Sequence, residues 1–275
     1  MFYETLLDPV LPGEASGVSV YFLIIIVSLL LLSFLINLFA DIKIKSWRPA
    51  RQLNVLDLII FLLVISGSLG MSYLTFYLLN KYGGVSFFAQ AVIGTLVFQI
   101  VLGSATFFCL KYRGAAGHFI SVRGKITELI RGLYIYIKFY PLLLLVFVAN
   151  LLLIILLGLK ETEPAAVLFL LMADTSLRIL VICLLVIVAA PLVEELAFRG
   201  YFYPALRSQK NIFISTLTCA TVFALFHFEP QFFLVYFFLG WLLCKSYEES
   251  GSLFAPFALH AFHNLVTLLY FYVLI

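Results

Sequence analysis

Apolar runs of membrane-spanning length recur along this chain from near its start to its end. A spanning helix takes about 20 mostly apolar residues. Runs of that kind are read at 18–39, 54–79, 85–110, 139–159, 177–199, 211–228, 231–247 and 253–274. Of 275 residues, 64% are hydrophobic and 11% charged, against about 25% charged in soluble domains. A soluble fold could not cover so much apolar surface. A bilayer removes that requirement, provided that backbone polar groups are satisfied within helices or a closed barrel. The sequence therefore predicts an all-α, polytopic integral membrane protein with about eight transmembrane helices, forming a single membrane domain over 1–275.

Charge orients the set. Lys43, Lys45, Arg48 and Arg51 cluster after the first run, and Lys111, Arg113, Arg123, Lys125, Arg131 and Lys138 follow the third. Both groups fall on one side of the predicted topology, which the positive-inside rule makes cytoplasmic. Arg207, Lys210 and Lys245 fall on the same side. Glu4, Asp8 and Glu14 precede the first run, so no positive n-region marks a cleaved signal peptide. The mixed basic and apolar stretch 117–136 suits a helix lying in the interface. The basic residues form no aromatic-interleaved patch for nucleic acid, and the net charge is only +3. Cys109, Cys183, Cys219 and Cys244 lie in apolar runs at no metal-like spacing and read as small buried hydrophobes. The expected setting is a bacterial or archaeal plasma membrane, or the endoplasmic reticulum in a eukaryote.

Ionisable groups inside apolar helices mark function, because a central charge costs about 2.5–3.5 kcal/mol to insert. The run 177–199 holds Glu194, Glu195 and Arg199, with Arg178 near its start. Glu195 and Arg199 are four apart and share a helix face, as an ion pair would. Glu194 is turned about 100° away with no basic partner at i+3 or i+4. It suits a general base or proton-exchanging group. Three histidines follow: His227 closes Phe223-x3-His227, and His260 opens His260-Ala-Phe-His263-Asn264, with His260 and Asn264 on one face. The fourth, His118, lies in the basic loop. Glu194 and His227 are nearly equidistant from a turn near 208–211, so an antiparallel hairpin brings them to one depth. That holds if the helix runs on to Arg207, bent by Pro191, Gly200 and Pro204, and does not end at Arg199.

Glu194-Glu195-x3-Arg199-Gly200, Phe223-x3-His227 and His260-x3-Asn264 together resemble the signatures of the CPBP family, which comprises type II CAAX prenyl endopeptidases, bacteriocin-processing and self-immunity proteins. The resemblance spans about 176–268, including Ala190-Pro191 and Gly251-Ser252-Leu253 with Pro256. It implies a glutamate-dependent intramembrane endopeptidase. Glu194 and His227 would activate water, His260 and Asn264 would stabilise the oxyanion, and Glu195 and Arg199 would support them. His263 has no counterpart role and reads as a packing residue.

The implied substrate is a membrane-associated peptide or protein, CAAX-type and lipidated or of the bacteriocin-leader kind. No cofactor is expected, since no HExxH helix is present and Asn is a poor zinc ligand. The alternative is Zn²⁺ held by Glu194, His227 and His260 with an open water position. Two other readings compete: a proton-coupled transporter, since intramembrane Glu and His also serve proton relays, and a non-catalytic immunity or scaffold protein. No internal repeat favours the transporter.

Overall fold

The computed structural model describes residues 29–33, 53–114, 125–159 and 163–274. The described residues are helical, without strands. Helix α1 covers Val55–Tyr82, α2 Phe87–Tyr112, α3 Lys125–Leu157 and α4 Ala165–Leu171. Helix α5 runs over Ser176–Arg207, α6 over Ile212–Leu225, α7 over Phe233–Ser250 and α8 over Phe254–Leu274. Helices α1, α2, α3, α5 and α8 are long and apolar enough to cross a membrane. Large side chains such as Leu63, Phe108, Leu145 and Leu156 stand outward and exposed, as a lipid-facing surface requires. The protein is an all-α, multi-pass membrane protein.

Local chemistry sets the helix ends. Asn54 caps α1 in a capping box with Asp57, Ser86 caps α2, and Asn211 caps α6. Each accepts a backbone N–H that has no partner inside its helix. Gly251 ends α7 at φ 65, a left-handed conformation that glycine adopts without a Cβ clash.

Several expected boundaries move. The interfacial helix expected at 117–136 is not separate: from residue 125 onward it is the start of α3, continuous through Pro141. Ile135 and Tyr136 are buried in the bundle, because α3 packs lengthwise on α8 and on α7. The run expected at 231–247 becomes α7, whose Lys245, Glu248 and Glu249 make its last turns polar. The run 211–228 shortens to α6. Helix α4 was not expected at all. The first run, 18–39, lies outside the described residues except for 29–33, as do the basic loop 41–51 and His118.

Helix α5 is the central post. It touches the α1–α2 hairpin on one side and α6 and α8 on the other. Near its end, Asp57 accepts hydrogen bonds from Tyr201 at 2.8 Å and from Arg113 at 2.9 Å, joining α1, α2 and α5. Glu248 of α7 accepts from Tyr203 at 2.8 Å and pairs with Arg207. The basic helix ends of α2, α5 and α7 thus lie on one side, as the charge pattern predicts.

Two glycines let helices approach closely. A Cβ at Gly132 would stand 2.1 Å from the Ala255 carbonyl oxygen, and one at Gly240 3.1 Å from the Ala220 Cα. Gly67, by contrast, faces open space. Gly132→Ala should lower stability by about 1–3 kcal/mol, because backbone must shift. Gly67→Ala should leave it unchanged or raised, since Ala is the better helix former. Thermal melting of both variants in one detergent checks the contrast.

Candidate active site

The site is built on an irregular stretch of α5. Wide π-helical turns occupy Leu184–Ala189 and Leu196–Phe202. In them the Ala190 N–H reaches Leu185 O and the Tyr203 N–H reaches Phe198 O, one residue further back than in an α-helix. Each is followed within two residues by a proline, Pro191 or Pro204. Proline has no N–H, and its ring collides with the carbonyl four residues back. A widened turn makes room, which is how π-bulges arise at functional sites. The helix nevertheless continues to Arg207, so Glu194 lies about 20 Å along it from that end.

Glu195 and Arg199 form the expected i,i+4 pair: Arg199 Nη1 lies 3.1 Å from Glu195 Oε1, with side chains 0% and 1% exposed. The guanidinium also donates through Nη2 to the Gly240 carbonyl at 2.9 Å. It lies over the Phe223 ring, 4.7 Å from the centroid. The same Glu195 oxygen is 2.9 Å from His260 Nδ1. Side chains or backbone from α5, α6, α7 and α8 therefore meet at one buried guanidinium.

His260 bridges the two glutamates. With Nδ1 on Glu195, its Nε2 faces Glu194 Oε2 at 3.9 Å. Glu194 differs from its neighbour in access: its side chain is 19% exposed against 1% for Glu195. The buried Gln99 side chain of α2 lies close to the Glu194 carboxyl. Glu194 is the carboxylate of the pair that a substrate or water can reach.

His227 follows the last turn of α6. Its Nδ1 lies 2.8 Å from the Phe223 carbonyl oxygen. A carbonyl only accepts, so Nδ1 carries the proton and the neutral ring's Nε2 is free to accept. The next residue, Phe228, has φ 54, a left-handed conformation that costs a non-glycine roughly 1–2 kcal/mol. The chain thereby leaves the helix at once after His227. Among the described residues no hydrogen bond or ion pair joins His227 to Glu194. The Phe223 ring meets both imidazoles edge-on, with centroids 4.7 Å from His227 and 5.7 Å from His260.

Asn264 takes an unexpected partner. Its Nδ2 donates to Val186 O at 2.8 Å. In the register of the first π-turn, that carbonyl would receive the N–H of residue 191, which proline lacks. Asn264 replaces the missing donor. His263 points away, toward Tyr136 of α3, whose hydroxyl is 3.5 Å from its Nδ1. Its ring lies 5.9 Å from that of Tyr136, centroid to centroid. The metal alternative can be weighed on the donors themselves. Among the described residues no three His, Cys, Asp or Glu side chains gather as a metal-ligating group.

Reading ionisable residues within the long apolar runs leaves out Gln99, the loop residue Glu229 and Tyr236. Tyr236 stacks on His227 with centroids 4.0 Å apart and an interplanar angle of 20°. Buried amides in a spanning helix were a usable signal; a tyrosine in a chain this aromatic was not.

Fold and site together define a polytopic helical membrane protein with a Glu/His/Arg cluster inside its bundle. Residues 176–266, about a third of the chain, match the family model described as type II CAAX prenyl endopeptidase Rce1-like. This region is therefore similar to that family, and the cluster lies within it apart from Gln99. No curated protein and no solved structure matches the chain.

The two glutamates should separate by stability. Glu195→Gln breaks a buried pair and a second contact to His260, and should cost about 3–5 kcal/mol. Glu194→Gln, whose partner His260 Nε2 stands at 3.9 Å, beyond hydrogen-bonding distance, should stay within about 1 kcal/mol of the parent. Unfolding in mixed micelles measures both. The reverse order would exchange the roles of the two residues.

Proposed function

We propose that this protein is an intramembrane endopeptidase of the CAAX type in which Glu194 and His227 activate water. The observation that carries the reading is the asymmetry of the glutamates within the family-matched segment. Glu195 is sealed by Arg199 and His260, while Glu194 keeps open surface, and His227, held through Nδ1, has an Nε2 that can accept. Water lying between Glu194 and His227 Nε2 loses a proton to Glu194 as its oxygen attacks the scissile carbonyl. The new C–O bond places charge on the carbonyl oxygen. His260 Nε2 is the donor to it; with Nδ1 committed to Glu195, this requires the doubly protonated ring. Asn264 contributes its second amide hydrogen, the first being used on Val186 O. The proton held by Glu194 then passes to the departing amine as the C–N bond breaks.

The substrate in this reading is a membrane-associated peptide or protein whose scissile bond enters the bundle, with a lipidated C-terminal peptide as the first choice. The bacteriocin-leader alternative has no observation favouring it. Zinc is not assigned a role, because among the described residues Glu194, His227 and His260 do not gather as a metal-ligating group.

Cleavage of a farnesylated CAAX peptide by purified protein in liposomes is the expected result, faster than for the unprenylated peptide. His227→Ala and Glu194→Gln should each lower turnover roughly 10²–10⁴-fold while the protein stays folded and monodisperse. Wild-type turnover in both variants would sink the proposed chemistry. A proton-coupled transporter would instead show pH-dependent flux and no cleavage.

Prolonged chelation, followed by elemental analysis, should leave cleavage intact with substoichiometric zinc. Activity that disappears and returns only with added Zn²⁺ would establish the metal mechanism in its place.

A further inference from the structure

Three contacts hold the His227 ring. Its Nδ1 donates to Phe223 O, the Phe223 ring meets it edge-on, and the Tyr236 ring is stacked on its face. Tyr236 is itself fixed, because its hydroxyl donates to Glu229 Oε2. The second oxygen of Glu229 accepts the Ala165 N–H at 2.7 Å, at the start of α4. Both oxygens of that carboxyl are thus engaged by donors of the protein. A further tie comes from α3, where the buried Asn150 donates through Nδ2 to Gln231 O at 2.8 Å. The loop between α6 and α7 is therefore anchored to α3 and α4, two helices outside the family-matched segment.

We propose that Tyr236 and Glu229 are positioning residues for His227, holding its ring and tautomer so that Nε2 faces Glu194. Two features carry this. A stack at 4.0 Å with nearly parallel rings leaves the imidazole little freedom to rotate about its χ2. The Glu229 carboxyl, held at both oxygens, fixes the height of the tyrosine ring along α7. The assignment rests on His227 being the water-activating histidine.

The test uses Tyr236→Leu and Tyr236→Phe in the full-length protein, with two readouts. The first is steady-state cleavage of the farnesylated peptide. Misplacing a reacting group by about 1 Å can cost 10²-fold. Tyr236→Leu should therefore lower kcat roughly 10- to 100-fold with KM within about twofold, a pattern of lost transition-state interaction and not of lost binding. Tyr236→Phe keeps the stacked ring and loses only the link to Glu229, so its loss should be smaller, about three- to tenfold. The second readout is ¹⁵N NMR of histidine-labelled protein in micelles, with His227→Ala identifying the His227 signals. The parent should show Nδ1 protonated and Nε2 bare; Tyr236→Leu should show a mixture of tautomers. Unchanged kcat together with an unchanged His227 spectrum in Tyr236→Leu would overturn the proposal. So would a raised KM with the tautomer intact, which would make Tyr236 a substrate contact. If Tyr236→Leu does not fold, Tyr236→Phe decides by the same two readouts. A parent protein that cleaves nothing would end the peptidase reading, and the spectra would still decide whether the brace sets the tautomer.

Discussion

A guanidinium buried to 0% exposure inside a membrane bundle dictates much of what surrounds it. An unpaired charge in that setting costs several kcal/mol or more. Arg199 meets the cost with a carboxylate, a backbone carbonyl and an aromatic face, drawn from different helices. Glu195 supplies the charge from its own helix. Gly240 supplies the carbonyl, and can do so because a glycine lets α7 come within contact of α6. Phe223 supplies the ring and so places His227, four residues later, at the edge of the same cluster. His260 completes the group by donating to the oxygen that Arg199 also uses. The arrangement of the three signature segments around one another follows from satisfying this one cation.

The second constraint is the pair of prolines in α5. Each removes a backbone donor in a region where no water is at hand to replace it. The chain widens its turns ahead of Pro191 and Pro204, and in the first case borrows the Asn264 amide to cover the Val186 carbonyl. A residue that a catalytic reading assigns to the oxyanion is thus also a structural donor. One amide carries two hydrogens, so the two tasks are compatible, but they are coupled: movement of α8 against the first π-turn alters both.

The division between the family-matched segment and the rest of the chain has a physical counterpart. Helices α1 to α4 contribute no member of the Glu/His/Arg cluster. They supply Gln99 beside Glu194, the Tyr136 hydroxyl beside His263, and the two anchors, Asn150 and the Ala165 amide, that hold the loop after His227. Most of these contacts involve neutral polar groups, which are cheaper to place in a bilayer than charges. That is why they leave a weak trace in a sequence dominated by Leu, Val and Phe.

The sequence by itself determined the solvent, the helical class, the side on which basic residues gather, and the pairing of Glu195 with Arg199. Each of these depends on composition or on spacing within one helix. The turn near 208–211 was also legible, and so was the continuation of the preceding helix to Arg207. Tertiary structure decided the rest. Helical periodicity gives the face a side chain occupies but not the register in which that face meets another helix. Close contact at Gly132 and Gly240 sets that register, and the added residues of two π-turns rotate it. Only then does His260 Nδ1 fall on Glu195 and not Glu194, Asn264 on Val186, and Tyr236 on the face of His227.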